Sequence, residues 1–149
     1  MAEHATEHLN VSAPVADCIA VTLDFARYPE WAPDIKEATL LETDERGRGT
    51  RVAFRAAAMG RSASYVLRYS YSEDSSRIAW ELLEGDIMRG LDGSYLFEAA
   101  ADGSTDITYN LTVELMVPIP GFVKRRAEGK IMTTALRELK HRVESLSVQ

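Results

Sequence analysis

Residues Pro118 to Gln149 read PIPGFVKRRAEGKIMTTALRELKHRVESLSVQ. As far as Gly121 the stretch is proline and glycine punctuation, and beyond it a helical pattern begins. Ile131, Met132, Ala135, Leu136, Leu139, Val143 and Leu146 recur at spacings of three and four. At about 100° per residue these positions fill one stripe of a single helix. Lys130, Arg137, Lys140, His141 and Glu144 fall on the opposite side. The pattern predicts a helix of about 27 residues, roughly 40 Å long at about 1.5 Å per residue. That is well beyond the usual length of about three turns, and such a helix needs one broad apolar surface to lie on.

Working back through the chain, that surface is a run of strands. Ile107, Tyr109, Leu111, Val113 and Leu115 alternate with polar residues, as do Gly93, Tyr95 and Phe97. Ile78, Trp80 and Leu82 alternate in the same way. Tyr65, Leu67, Tyr69 and Tyr71 share one parity, with Val66, Arg68 and Ser70 on the other. Arg48 to Ala58 and Ile35 to Thr43 complete six segments. Asp44-Glu45-Arg46-Gly47, Gly60-Arg61, Glu73-Asp74-Ser75-Ser76 and Ala101-Asp102-Gly103-Ser104 are turn signals between them. Between Gly85-Asp86 and Gly90 a further connection is expected. Short links favour antiparallel pairing, and the period of two gives one apolar and one solvated face.

Upstream, His4 to Val11 reads as a short first strand. Ser12-Ala13-Pro14 signals entry to a helix. Val15, Cys18, Ile19, Thr22, Leu23 and Ala26 then give about three amphipathic turns, ending before Tyr28-Pro29. One short turn fits between Pro29 and Pro33. The expected order is strand, helix, short helix, six strands, long helix, an α+β chain in a single domain over residues 1–149.

Composition narrows the function classes. A hydrophobic share of 46% is enough for a core without staples. The single cysteine, Cys18, excludes an intrachain disulfide and suits a reducing cytoplasm. The polar start shows no secretory pattern, and no run approaches the about 18 apolar residues of a membrane span. The net charge of −6 argues against a nucleic-acid partner. No cofactor or metal is expected, no stable membrane insertion, and a monomer or weak homodimer.

Several stretches together resemble a known family. They are Asp24-Phe25-Ala26-Arg27-Tyr28-Pro29-Glu30-Trp31, Tyr65-Val66-Leu67-Arg68-Tyr69 and Ile78-Ala79-Trp80-Glu81-Leu82-Leu83-Glu84-Gly85-Asp86. Leu91-Asp92-Gly93-Ser94-Tyr95 and Pro118-Ile119-Pro120-Gly121-Phe122-Val123-Lys124-Arg125-Arg126 extend the likeness over almost the whole chain. With the topology, they resemble the START-like, Bet v 1-like superfamily (SRPBCC), in its bacterial polyketide cyclase/dehydrase and lipid-transport branch. The resemblance implies a helix-grip fold: a curved seven-stranded antiparallel sheet around the C-terminal helix, with a hydrophobic cavity between them. It also implies a hydrophobic ligand such as a lipid, quinone or polyketide. Some members are aromatase/cyclases, and fold alone does not choose among these.

The residues bear on the site as follows. Tyr65, Tyr69, Trp80, Tyr95, Phe97 and Tyr109 share the inward parity and are expected to line the cavity. Buried tyrosines normally find a partner for the hydroxyl, so this many inward hydroxyls fit a cavity better than a dry core. Trp31, between two prolines, either gates an entrance or plugs the sheet end. Followed back toward its start, the inward face of the helix carries Arg125, Glu128 and Gly129; Glu128, Gly129 and Met132 are expected to roof the pocket, and Gly129 inside a helix, costly by about 1 kcal/mol, suggests a need for space. The first two turns of the helix would then form the roof, and Ile131 to Leu146 the anchor.

No nucleophile elbow, phosphate loop or metal signature is present. His4 and His8 share a strand face, but without further ligands they read as surface histidines. Cys18 reads as a small buried hydrophobe. Glu84, Asp86, Arg89 and Asp92 form either a polar rim or an ordinary charged turn. Arg68 lies opposite the aromatic stripe, which fits a cross-strand pair with Glu81 better than a buried carbonyl-polarising role. Lys124-Arg125-Arg126 opposes the helix dipole, and either holds an anionic group or membrane surface or pairs with acids such as Glu128. These features leave a carrier or sensor of a hydrophobic molecule as the first reading. A cyclase using Tyr65, Tyr69 or Tyr95 for proton transfer is the second, and an interaction module the third.

Overall fold

The computed structural model describes residues 3–32, 34–58, 61–116 and 120–147. Val117, Pro118, Ile119, Gly60 and Pro33, all part of the sequence reading, lie outside them, as do the side chains of Lys124, Ile131, Met132 and Ala135. The elements are β1 (Glu3–Val11), α1 (Val15–Leu23), a 3-10 turn (Phe25–Arg27), α2 (Tyr28–Trp31), β2 (Ile35–Thr43), β3 (Gly49–Ala58), β4 (Arg61–Tyr71), β5 (Arg77–Gly85), β6 (Met88–Ala99), β7 (Thr105–Leu115) and α3 (Gly121–Ser147).

The seven strands form one antiparallel sheet in the order β1-β7-β6-β5-β4-β3-β2. Six strands follow one another as a meander, and β1 closes onto β7 along its whole length, from Glu3 opposite Val113 to Val11 opposite Thr105. Register shifts interrupt β2–β3, β4–β5 and β6–β7. Such bulges bend a strand and increase its twist, which curls the sheet around α3. This is the α+β helix-grip fold.

Alternation fixes which side chains meet α3. Along β7, Thr105, Ile107, Tyr109, Leu111, Val113 and Leu115 are buried, and the residues between them are not. On the outer face Arg68 pairs with Glu81 at 2.5 Å, Arg55 with Glu37 at 2.7 Å and Arg51 with Glu42 at 2.9 Å. These exposed pairs contribute about 0–1 kcal/mol each. Arg68 is therefore a surface partner of Glu81 and does not reach the interior.

Three boundaries differ from the sequence reading. The first helix stops at Leu23 instead of continuing to Ala26. Asp24 leaves the helical region (φ −85°, ψ 69°), and this swings Phe25 into the core, where it is 1% exposed. Next, β6 begins at Met88, so the connection after Gly85 is only Asp86-Ile87. Gly90 sits at the register shift opposite Glu114 instead of in a turn. Asp86 accepts the Ser64 N–H at this corner and Asp92 accepts the Leu82 N–H, so both carboxylates are taken up by backbone of neighbouring strands. Finally, the apolar stripe of α3 ends at Val143. Leu136, Leu139 and Val143 are buried, but Leu146 is 45% exposed because the helix overruns its cover.

The C-terminal half of α3 is pinned from several sides. Glu144 accepts the Ser12 N–H at 2.8 Å, Lys140 donates to the Asn10 carbonyl at 2.8 Å, and Arg142 reaches Glu30 of α2 at 2.9 Å. At the same end of the sheet Thr105 Oγ1 donates to the Ala13 carbonyl, and Cys18 is fully buried. This end is packed shut by α1 and the second half of α3.

Candidate functional site

The inner face of the sheet carries a continuous group of rings. Trp80 on β5 lies 5.8 Å from Tyr69, 5.1 Å from Tyr95 and 6.1 Å from Tyr109, between ring centroids. Register explains the grouping: Tyr69 faces Trp80 across β4–β5, and Tyr95 faces Tyr109 across β6–β7. Gly93 sits between Trp80 and Leu111 in adjacent strands, and its missing side chain leaves room for the indole. On the other flank Phe54 stacks on Tyr65 at 5.4 Å, its direct cross-strand neighbour. Phe25 joins the two groups, at 4.8 Å from Tyr69, 6.3 Å from Phe54 and 5.3 Å from Tyr28.

All four strand tyrosines of this group are buried, with exposures of 7% for Tyr65 and Tyr69, 8% for Tyr95 and 3% for Tyr109. Two other tyrosines satisfy their hydroxyls on backbone: Tyr28 donates to the Thr22 carbonyl and Tyr71 to the Gly49 carbonyl. Among the described residues no hydrogen bond engages the hydroxyls of Tyr65, Tyr69, Tyr95 or Tyr109. Nor are these oxygens fully enclosed, since Glu128 Oε1 is the one enclosed side-chain atom without a partner among the described residues. Buried rings with unengaged hydroxyls suit the wall of a ligand pocket better than a dry core.

Electrostatics supports convergence. Burial pushes each of these tyrosines above the ordinary tyrosine range. After burial, Tyr69 is raised further by Tyr28, Tyr95, Tyr65 and Tyr71, and Tyr109 by Tyr95 and Tyr65. The hydroxyls thus lie near enough that ionising one opposes ionising the next, and all stay protonated at neutral pH.

On α3, Glu128 is fully buried, and its Oε2 accepts the N–H of Leu115 at 2.8 Å. Among the described residues it has no ion pair with the basic cluster, and Arg125, expected on the inward face, is exposed, as is Arg126. Beside it, a side-chain carbon added at Gly129 meets nothing within 4 Å among the described residues. Leu115 pairs with Met88, at the sheet end opposite to α1. The first half of α3 therefore lies over the Leu115 end of β7.

Of the ten residues expected at the site, Tyr65, Tyr69, Trp80, Tyr95 and Tyr109 come together; on α3, Glu128 is buried and Gly129 is half-buried. Phe97 stacks on Tyr95 at 5.5 Å but lies toward the packed end, opposite Ile107. Trp31 is half-buried on α2 against Tyr28, at 4.9 Å. The Met132 side chain is outside the described set. Phe25, Tyr28 and Phe54 were not foreseen as members of the ring group. Phe54 carried a usable signal in its parity with Val52, whereas Phe25 is brought inward by the break at Asp24, which had none.

Other candidate chemistry stays apart. His4 and His8 lie on the outer face against Thr112 and Thr108. Among the described residues no cluster of three or more His, Cys, Asp or Glu is arranged for a metal. Burial raises the pKa of the Cys18 thiol. Among the described residues no helix is long and apolar enough to cross a membrane.

Similar folds occur in solved structures. A START superfamily protein from Mycobacterium smegmatis superposes with a TM-score of 0.85 at 24% identity, over 96% of this chain and 98% of that one. A protein from Thermus thermophilus gives 0.80 at 20% identity, over 97% and 99%. The Zhui aromatase/cyclase from Streptomyces sp. R1128 gives 0.79 at 14%, over 97% and 94%. At these identities the likeness is one of fold. No curated protein sequence matches the chain. Residues 2–144 match the family described as polyketide cyclase / dehydrase and lipid transport, and the chain belongs to that family.

Proposed function

We propose that the protein binds and carries a hydrophobic small molecule, lipid-, quinone- or polyketide-like, between the sheet and the first half of α3. The observation that carries this reading is the set of four buried tyrosine hydroxyls, on Tyr65, Tyr69, Tyr95 and Tyr109, without protein partners among the described residues. A dry core would leave each as an unsatisfied polar group, at about 1–3 kcal/mol. A ligand pocket uses them: concave, mostly apolar walls with a few polar groups that orient the guest. Removing about 300 Å² of apolar ligand surface from water is worth roughly 7–8 kcal/mol at about 25 cal/mol per Å². Association costs of about 4–15 kcal/mol offset much of that, so the hydroxyls contribute to affinity as well as orientation.

Trp80, with Gly93 beneath it, forms one wall in this reading, Gly129 leaves room in the roof, and Trp31 stands at the α2 end. The same proposal is for a cytoplasmic protein, monomeric or weakly dimeric, that takes no nucleic acid. The acidic balance and the lone buried cysteine support it. Native mass spectrometry of gently purified protein tests the reading, followed by titration with apolar probes. A ligand of a few hundred daltons should co-purify or a probe should bind, and failure of both would overturn it.

A cyclase remains the second reading, favoured by the convergence of protonated tyrosines. Held above their ordinary range, Tyr65, Tyr69 and Tyr95 serve as hydrogen-bond or proton donors and not as bases near neutral pH. Catalysis would rest on positioning, with the cavity folding a reactive chain toward one aldol geometry. A poly-β-ketone product pattern unchanged by adding the protein would eliminate this.

A further inference from the structure

One carboxylate oxygen in the interior is unaccounted for. Glu128 Oε1 is enclosed and has no partner among the described residues, while Oε2 of the same group holds the Leu115 N–H at 2.8 Å. That bond fixes the carboxyl, so Oε1 cannot turn to share the donor. It also does not explain why the residue is acidic, since a glutamine carbonyl would take the same N–H without the charge. Leaving a charged group half-satisfied in the interior costs more than leaving a neutral one so. Among the described residues, a side-chain carbon added at Gly129, the next residue along the helix, meets nothing within 4 Å. Among the described residues no ion pair reaches Glu128.

We propose that Glu128 is the polar anchor of the ligand site, its Oε1 receiving a hydrogen bond from a donor head group, hydroxyl or ammonium, on an otherwise apolar molecule. An unprotonated carboxyl oxygen only accepts, so the guest supplies the proton at Oε1. The tyrosine hydroxyls deeper along the sheet both donate and accept, and they suit carbonyl or ether oxygens farther along the guest. The lining therefore divides by polarity: an acceptor at the Leu115 end, and donors toward Tyr95 and Tyr109. This rests on the carrier reading and adds to it the chemistry of the head group.

The test compares matched probes by titration calorimetry: 2-naphthalenemethanol, 2-naphthylmethylamine and 2-(methoxymethyl)naphthalene, with 1-decanol, decylamine and decyl methyl ether run in parallel as chain-shaped guests. The donor-bearing members should bind about tenfold or more tighter than the ethers, as a hydrogen bond to a charged acceptor provides. Alcohol against amine then distinguishes the two sources of the donor. In Glu128→Gln the amide oxygen keeps the Leu115 bond and the amide nitrogen faces the guest. The preference should fall to within about threefold, and 2-acetylnaphthalene should gain affinity. Equal affinity of alcohol, amine and ether in the wild-type protein overturns the proposal while leaving the carrier reading intact. So does an undiminished preference in Glu128→Gln. If that variant fails to fold, the wild-type ranking decides alone. Failure of every probe to bind overturns the proposal, and the carrier reading falls with it when no ligand co-purifies either.

Discussion

Gly93→Ala measures how tightly the central rings are held. A methyl group built on Gly93 would lie 2.5 Å from the Asn110 carbonyl oxygen and 2.6 Å from Trp80 Cζ2, with Trp80 Cε2 at 2.9 Å. All three are closer than side-chain carbons approach other atoms in folded proteins. One obstacle is backbone: Asn110 belongs to β7, paired with β6 from Ala99 to Met88, so its carbonyl moves only if the ladder opens locally. The other is an indole, which is held in turn by Tyr69, Tyr95 and Tyr109. Neither yields as the end of a flexible side chain would.

The cost belongs in the overpacking range of about 1–3 kcal/mol. Against it stands a gain of less than about 1 kcal/mol from replacing glycine within a strand. A net loss of about 2 kcal/mol corresponds, for a chain of this length, to a Tm lower by about 4–8 °C. Thermal unfolding followed by circular dichroism gives the stability. Emission from Trp80 in a Trp31→Phe background reports the indole, because the chain has two tryptophans. Emission and Tm should both change. A Tm within about 1 °C of the parent with unchanged Trp80 emission would refute the reasoning, because it would mean that the rings are loosely stacked and the close approach is of no consequence.

Four further outcomes follow from the same geometry. All six tyrosines are held above their ordinary range, chiefly by burial, so the unfolded chain loses protons first above pH about 10; stability should be flat in this respect below that pH and fall above it. Spectroscopic titration of the folded protein should then show no tyrosine ionising at its ordinary value, and even one that does would contradict the burial argument. Tyr28→Phe and Tyr71→Phe each remove a bond to a carbonyl and should cost about 0.5–1.5 kcal/mol, whereas Tyr69→Phe and Tyr95→Phe should be close to neutral; equal losses in urea unfolding would mean the latter hydroxyls are engaged. Gly129→Leu should fold at least as well as the parent, since a helical glycine costs up to about 1 kcal/mol, yet lose probe binding; retained uptake would remove Gly129 from the roof. Leu139→Ala, at a fully buried position, should lower stability by about 2–5 kcal/mol, and a loss under about 1 kcal/mol would count against α3 as the anchor.

The long helix was legible almost to the residue, because proline and glycine mark its start and a period near 3.6 continues unbroken to Val143. The strands were legible for the matching reason: a period of two, punctuated by turn residues. Errors arose where local chemistry has two uses. Gly90 signals a turn and also permits a bulge, and only the pairing of Met88 with Leu115 decides. Asp24 carries no breaker signal, yet the chain leaves the helix there because burying Phe25 outweighs one more turn. Leu146 continues the stripe, but the pattern cannot tell where the covering surface ends. For the site, parity placed Tyr65, Tyr69, Trp80, Tyr95 and Tyr109 on one face and Arg68 on the other. Parity with Val52 could have added Phe54, but nothing local could add Phe25, whose place depends on the break at Asp24. Helical periodicity turned Glu128 inward, but its partner is a backbone N–H, and those leave no trace in a sequence.

The tyrosines show where core ends and site begins, which neither burial nor sequence parity does. All six have the same physical character: an apolar ring and a hydroxyl that costs free energy unless engaged. Tyr28, against the Thr22 carbonyl, and Tyr71, against the Gly49 carbonyl, are engaged by the protein, so phenylalanine would be the poorer residue at either position. Tyr65, Tyr69, Tyr95 and Tyr109 are buried more deeply, but among the described residues no hydrogen bond engages their hydroxyls. For folding alone, phenylalanine would serve there at least as well. A hydroxyl that folding does not use is explained by something outside the chain. The two halves of α3 divide in the same way: over the packed end its side chains are Leu136, Leu139 and Val143, and toward its start they are Glu128 with an unshared oxygen and Gly129 with none to fill the space.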